Sequence, residues 1–117
     1  MPEKAIPLTE AFFYILLAVR KPNHGYGIIL EVEKLTGGRV TLGAGTLYGA
    51  IQTMLKRNWI RTYRIVDDAR QKKEYLITAE GRRVFLCEKA RLEELLQNAL
   101  LMPEKEDNNH DEISPVL

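Results

Sequence analysis

"GGRVTLGAGTLYGAI", residues Gly37 to Ile51, places five glycines in fifteen residues and then enters an apolar repeat. Two readings compete for it: a loop that cradles a nucleotide phosphate, or the entrance to a helix that meets something else. The spacing rejects the first. A Walker loop needs Gly, four residues, then Gly-Lys-Ser/Thr; Gly38 and Gly43 keep that gap, but Ala44 stands where the lysine is required. The dinucleotide fingerprint fails too, because Gly43-x-Gly45 is followed by Tyr48, with Gly49 one position late, and no long apolar strand precedes it. The second reading fits. Leu47, Ala50, Ile51, Met54 and Leu55 recur as one face of a helix that begins near Gly45 or Thr46. Its other face carries Thr46, Tyr48, Gly49, Gln52, Thr53 and Lys56, and Asn58, which tolerates the left-handed conformation, ends it.

Upstream, a helix fits Tyr26 to Leu35, with Ile28, Val32 and Leu35 on one stripe, Ile29 beside it, and Glu31, Glu33 and Lys34 away from it. Gly37 or Gly38 is free to take the left-handed cap that closes it. Arg39 to Leu42 is β-rich but short, a stub of strand at most. Earlier still, Thr9 caps a helix that has Glu10 in its first turn and runs to about Arg20. Phe12, Phe13, Ile15, Leu16, Leu17 and Val19 make that helix apolar nearly all round, so it must be buried on more than one side. In so short a chain the second surface is expected to be another subunit. His24, in the Pro-Asn-His-Gly turn between these helices, is expected to cap or brace the junction.

Downstream come "WIRTYRIV", "DDARQ" and "KKEYLI", a two-stranded hairpin by β-propensity, with Trp59 expected in the core. Thr78 then caps a long helix with Glu80 in its first turn. Running from Ala79 to about Leu101, it spans roughly 35 Å at 1.5 Å per residue. It projects beyond a small domain, so Val84, Phe85, Leu92, Leu95, Leu96, Ala99 and Leu100 need a partner. Pro103 stops it, and an acidic, disordered tail is expected over residues 103–117.

The chain has 117 residues, room for one domain. Its longest apolar run, Ala11 to Val19, is nine residues, too short for a bilayer, so no membrane span is expected. One cysteine, Cys87, and two histidines, His24 and His110, leave no disulfide and no zinc site, and a cytoplasmic location is expected. No nucleophile–base arrangement emerges either, so neither an enzyme nor a cofactor is expected. The net charge of +1 conceals an asymmetry. Residues 103–117 hold five acidic residues against Lys105, whereas Lys56 to Lys73 holds seven basic residues against Asp67 and Asp68. All of the body's excess positive charge lies in that stretch, the footprint of a surface that meets a polyanion.

Helices followed by a basic hairpin make a mainly α (α+β) fold, a winged helix-turn-helix with a long C-terminal dimerisation helix. In that fold the third helix enters the DNA major groove and the wing lies along the backbone. Thr46 and the glycine-bare helix start suit a phosphate, and Tyr48 and Gln52 lie one turn apart on the same face. Tyr48 reads equally as an aromatic lid on the core. Gly49 costs roughly 1 kcal/mol relative to Ala inside a helix, which makes sense where a side chain would hold the helix off DNA. Arg64, Arg70, Lys72 and Lys73 would face phosphates beside the wing.

"HGYGI" at His24 to Ile28, the opening stretch, and "KKEYLITAEGRR" at Lys72 to Arg83 together resemble the PadR family of bacterial transcriptional regulators across roughly residues 8–100. Gly45-Thr-Leu-Tyr48 and Tyr75-x-x-Thr78-x-x-Gly81 are the most specific parts. The resemblance implies a winged-helix domain over residues 1–78 and a dimerisation helix over 79–102. It further implies a homodimeric repressor on a palindromic operator, joined through Phe12, Phe13, Leu16, Phe85, Leu92, Leu95, Leu96 and Ala99. A single C-terminal helix matches the small subfamily. Family members often respond to small aromatic or drug-like effectors, some held at the dimer interface. Here the one tryptophan, Trp59, lies beside the wing, which argues against a tryptophan-stacked site between the last helices. Two other readings remain at this stage: a winged-helix protein–protein adaptor without DNA binding, favoured by the few basic residues on the third helix, and a small-molecule sensor.

Overall fold

Three of the four helices open on the side chain that the sequence marks for the task. The computed structural model describes residues 7–67 and 72–105, and its elements are α1 (Glu10–Ala18), β1 (Asn23–His24), α2 (Gly25–Thr36), α3 (Ala44–Lys56), β2 (Ile60–Asp67), β3 (Lys72–Ile77) and α4 (Ala79–Ala99). The Thr9 side chain accepts from the Phe12 N–H, His24 from Gly27 and Thr78 from Gly81. His24 is therefore the brace that its position suggests. Both α2 and α3 end in a left-handed turn, at Gly37 (φ 61°) and Asn58 (φ 62°). In each, the next residue reaches back: Gly38 N–H donates to Glu33 O (2.8 Å) and Trp59 N–H to Met54 O (2.9 Å).

The strand stub is not where the sequence puts it. Arg39 to Leu42 forms no strand: the Val40 N–H, which a ladder would need, donates instead to Thr36 Oγ1 (3.0 Å). The stub is β1, inside the Pro-Asn-His-Gly turn between α1 and α2. Asn23 and His24 pair antiparallel with Tyr75 and Glu74 at the free edge of β3, giving a sheet of order β1-β3-β2. Asn23 Nδ2 holds this turn in place through Ala18 O (3.1 Å) and Glu31 Oε1 (3.2 Å).

Ile15, Leu16 and Val19 from α1, Ile28 and Val32 from α2, and Leu47, Ile51 and Met54 from α3 form the core, closed by Trp59, Ile60 and Val84. Leu35 departs from the expected stripe: one turn past Val32, it has outrun the core and stays half exposed. Much of the cover over α1 comes from its own chain, though Phe12, Phe13, Tyr14 and Leu17 keep part of their surface open. Phe12 sets its ring edge against Trp59 (centroids 6.4 Å), while Phe13 stacks on Phe85 of α4 (4.7 Å). Leu16 has no accessible surface at all, so it belongs to the protomer core and not to an interface.

The start of α4 is pinned by backbone. Thr78 N–H donates to Trp59 O (2.9 Å), and Thr78 Oγ1 donates to Asn58 O (2.6 Å). A Cβ on Gly81 would overlap the Trp59 carbonyl oxygen and lie 2.8 Å from its carbon. Two turns on, Glu88 is buried, an unannounced charge on a helix face shared with Val84. It accepts from the Leu8 N–H (3.0 Å) and from Arg91 Nε (2.7 Å) and Nη2 (2.8 Å). Arg91 and the Leu8 N–H hold this carboxyl below the usual carboxylate range against the opposing effect of burial. Beyond it, Leu92, Leu95, Leu96 and Leu100 are exposed. Among the described residues no helix is long and apolar enough to cross a membrane. The hairpin tip with Arg70, and the acidic stretch from residue 106 onward, lie outside the described residues.

Candidate nucleic-acid interface

The face of α3 opposite the core is bare. Leu47, Ala50, Ile51 and Met54 are buried, whereas Thr46, Tyr48, Gly49, Gln52 and Lys56 are exposed and Thr53 is half-buried. A Cβ on Gly49 would meet nothing within 4 Å, so packing within the chain gives no reason for a glycine there. At the start of the helix Gly43 supplies no side-chain cap, and Ala44, Gly45 and Thr46 are exposed. First-turn N–H groups have no acceptor within a helix, so this end offers donors outward.

β3 runs beside this face and adds positive charge. Lys72 and Lys73 are exposed and, with His24, Gly25, Tyr26, Tyr48 and Tyr75, line a groove of about 300 Å³ between α2, α3 and the sheet. Tyr75 lies mostly buried at its base, and burial, with Tyr48 adding to it, pushes its phenol up from the ordinary value. Tyr48 is 48% exposed, which leaves its ring half against the protein and half open.

Not every basic residue of the hairpin is equally available. Arg64 Nε donates to Glu74 Oε1 across the strands (2.8 Å), and that pairing raises the guanidinium's pKa. Arg57 lies over the Trp59 ring (5.1 Å) and Arg61 over the Tyr63 ring (5.5 Å). So Thr46, Tyr48, Gly49 and Gln52 are exposed on α3, Tyr48 alone of them lines the groove with Lys72 and Lys73, Arg64 is committed to Glu74, and Arg70 lies outside the described residues. Tyr26 and Tyr75, both inside motifs quoted from the sequence, were not named as site residues there. Their signal was the repeat of tyrosines beside glycine and lysine in "HGYG", "TLYG" and "KKEY".

A family model described as the transcriptional regulator PadR-like family matches residues 15–86, well over half of the chain. The chain belongs to this family. The matched part of this PadR-like protein runs from the second half of α1 through the wing into the first half of α4. Solved structures agree on the fold. A transcriptional regulator from Clostridium thermocellum is 22% identical with a TM-score of 0.65, over 82% of this chain and 93% of that one. A PadR family transcription regulator from hypervirulent Clostridium difficile R20291 is 23% identical with a TM-score of 0.60, over 80% and 99%. RosR of H. salinarum is 19% identical with a TM-score of 0.56, over 89% and 86%. No curated protein matches the sequence. The expected mainly α fold with a β wing is borne out, with the strand stub relocated to Asn23–His24.

Proposed function

We propose that this PadR-like regulator binds double-stranded DNA as a cytoplasmic homodimer, with α3 in the major groove and β2–β3 along the backbone. One observation carries the reading: α3 spends one face on the core and leaves Thr46, Tyr48, Gly49 and Gln52 exposed on the other, with Tyr48 lining the Lys72–Lys73 groove. Gln52 has the reach for a base edge, Thr46 and the open helix start suit a phosphate, and Gly49 lets the helix lie low. Lys72 and Lys73 neutralise phosphates, and Arg64 joins them when its exchange with Glu74 allows.

The exposed Leu92, Leu95, Leu96 and Ala99 of α4, with Leu100 at its end, support a dimer seam, and Leu86 extends it beyond the residues named from sequence. Phe12, Phe13 and Phe85 take part through the platform that they build beneath it. A two-fold dimer reads a palindromic operator, and occupying a promoter this way represses it. An apolar seam of this kind suits a small hydrophobic or aromatic effector that releases the DNA.

Electrophoretic retardation of DNA from upstream of its own gene, across a salt series, tests this. Binding should weaken steeply with salt, at a log–log slope of about −0.9 per neutralised phosphate. K72A/K73A should weaken binding to all sequences and flatten the slope by about two. Absence of any retardation at low salt removes the DNA reading and leaves the protein–protein adaptor. A panel of aromatic compounds in the same assay tests the effector.

A further inference from the structure

We infer that Gly25 is a positioning residue: it leaves the space in which the Tyr48 ring lies, and so holds the Tyr48 hydroxyl at the Lys72–Lys73 groove, which seats one backbone phosphodiester of DNA. The inference rests on the DNA-binding reading and deepens it. A Cβ on Gly25 would overlap the Tyr48 hydroxyl and lie 2.8 Å from Cζ, with Leu47 Cδ2 in ordinary contact at 3.4 Å. Nothing in the backbone asks for glycine here, since among the glycines only Gly37 and Gly38 have positive φ. At the first position of α2, alanine would be the better helix former. The tyrosine ring is therefore the physical reason for the glycine.

The groove's chemistry points to a phosphate. Two ammonium groups, the phenols of Tyr26, Tyr48 and Tyr75 and one imidazole line it, and among the described residues no carboxylate does. His24 Nδ1 accepts from the Gly27 N–H, which assigns the proton of a neutral ring to Nε2. Lysines supply charge without fixing position, whereas a neutral hydroxyl donor held at one height fixes the register of the backbone against α3. Gly25 and Tyr48 lie in separate motifs, "HGYG" and "GTLY", and this contact joins them.

Steric relief at this site is cheap, because the atoms in the way are the far end of a side chain. G25A should displace the ring and leave the fold in place. Fluorescence anisotropy on a duplex from upstream of the protein's own gene, over a salt series, compares the full chain with G25A, Y48A, G25A/Y48A and K72A/K73A. Y48A should weaken binding about five- to tenfold with the salt slope unchanged, since a hydroxyl displaces no counterion. G25A should weaken it about as much, and the double variant should bind within about twofold of Y48A alone.

G25A binding like wild type overturns the inference, as do losses that multiply in the double variant. Should G25A fail to fold by circular dichroism, recovery of the fold in G25A/Y48A supports the steric link, and failure of both overturns it. If wild type binds and K72A/K73A weakens it while Gly25 and Tyr48 are silent, only this inference falls. If wild type binds no duplex at low salt, the DNA reading itself falls and takes the seat with it.

Discussion

The first half of α4 and its second half are equally rich in apolar residues, yet they meet different surroundings. Val84 is buried, Phe85 stacks on Phe13, and Glu88 is locked to Leu8 and Arg91, so the first half is a wall of the domain. Leu92, Leu95 and Leu96 rise from 38% to 51% and 63% exposed, so burial fades along the second half of the same helix. The comparison with α1 sharpens this. The all-round apolar α1 finds much of its cover inside its own chain, whereas the end of α4 has none among the described residues. Apolar excess announces that something must cover a helix. It does not say whether the cover comes from the same chain.

Four variants pull this contrast apart. G81A strikes the base of the first half, where the obstacle is the Trp59 carbonyl and cannot swing aside. Overpacking against backbone should cost about 3 kcal/mol, and thermal melting should show a Tm lower by roughly 10–20 °C. An unchanged Tm would mean that α4 is held by its side chains and not by this corner.

L95E/L96E strikes the second half. Light scattering at micromolar concentration should fall from dimer to monomer mass, while near-ultraviolet dichroism of Trp59 stays put. A wild-type chain that is already a monomer would erase the distinction between the halves.

E88Q probes the boundary between them. The carboxyl titrates lower in the folded chain than in the unfolded one, so its stabilisation is fully present above about pH 4.3 and is lost as pH falls through the folded value. E88Q should lower the Tm by about 5 °C at neutral pH, with the gap to wild type closing on acidification. A constant gap would assign Glu88 a packing role alone. K89A should be the mildest. Lys89 Nζ lies 3.8 Å from Glu93 Oε2 with both side chains mostly exposed, so the Tm should move by less than about 2 °C.

The sequence was most legible where a single local rule suffices. Thr9, His24, Thr78, Gly37 and Asn58 cap or close helices through contacts within a few residues, and their types alone mark the positions. The buried face of α3 was equally plain, because Leu47, Ala50, Ile51 and Met54 obey one period. What stayed hidden depends on partners far along the chain. Asn23 and His24 have no strand character of their own and become β1 only because Tyr75 and Glu74 offer an edge. The cover over Phe13 comes from Phe85, seventy-two residues later. Glu88 did leave a trace, since an acidic residue one turn beyond Val84 on the helix's buried side asks for a partner. Its partners, Arg91 and the Leu8 N–H, emerge only in three dimensions.

The corner where α3 ends and α4 begins has a mechanical consequence. Twenty residues and two strands separate Asn58 from Thr78 along the chain, but one hydroxyl and one amide join them directly through the Asn58 and Trp59 carbonyls. The hairpin is thus a side branch, and the load path from α4 to α3 bypasses it. A tilt of α4 has no loop in which to dissipate and is delivered to the last turn of α3 with the wing merely carried along.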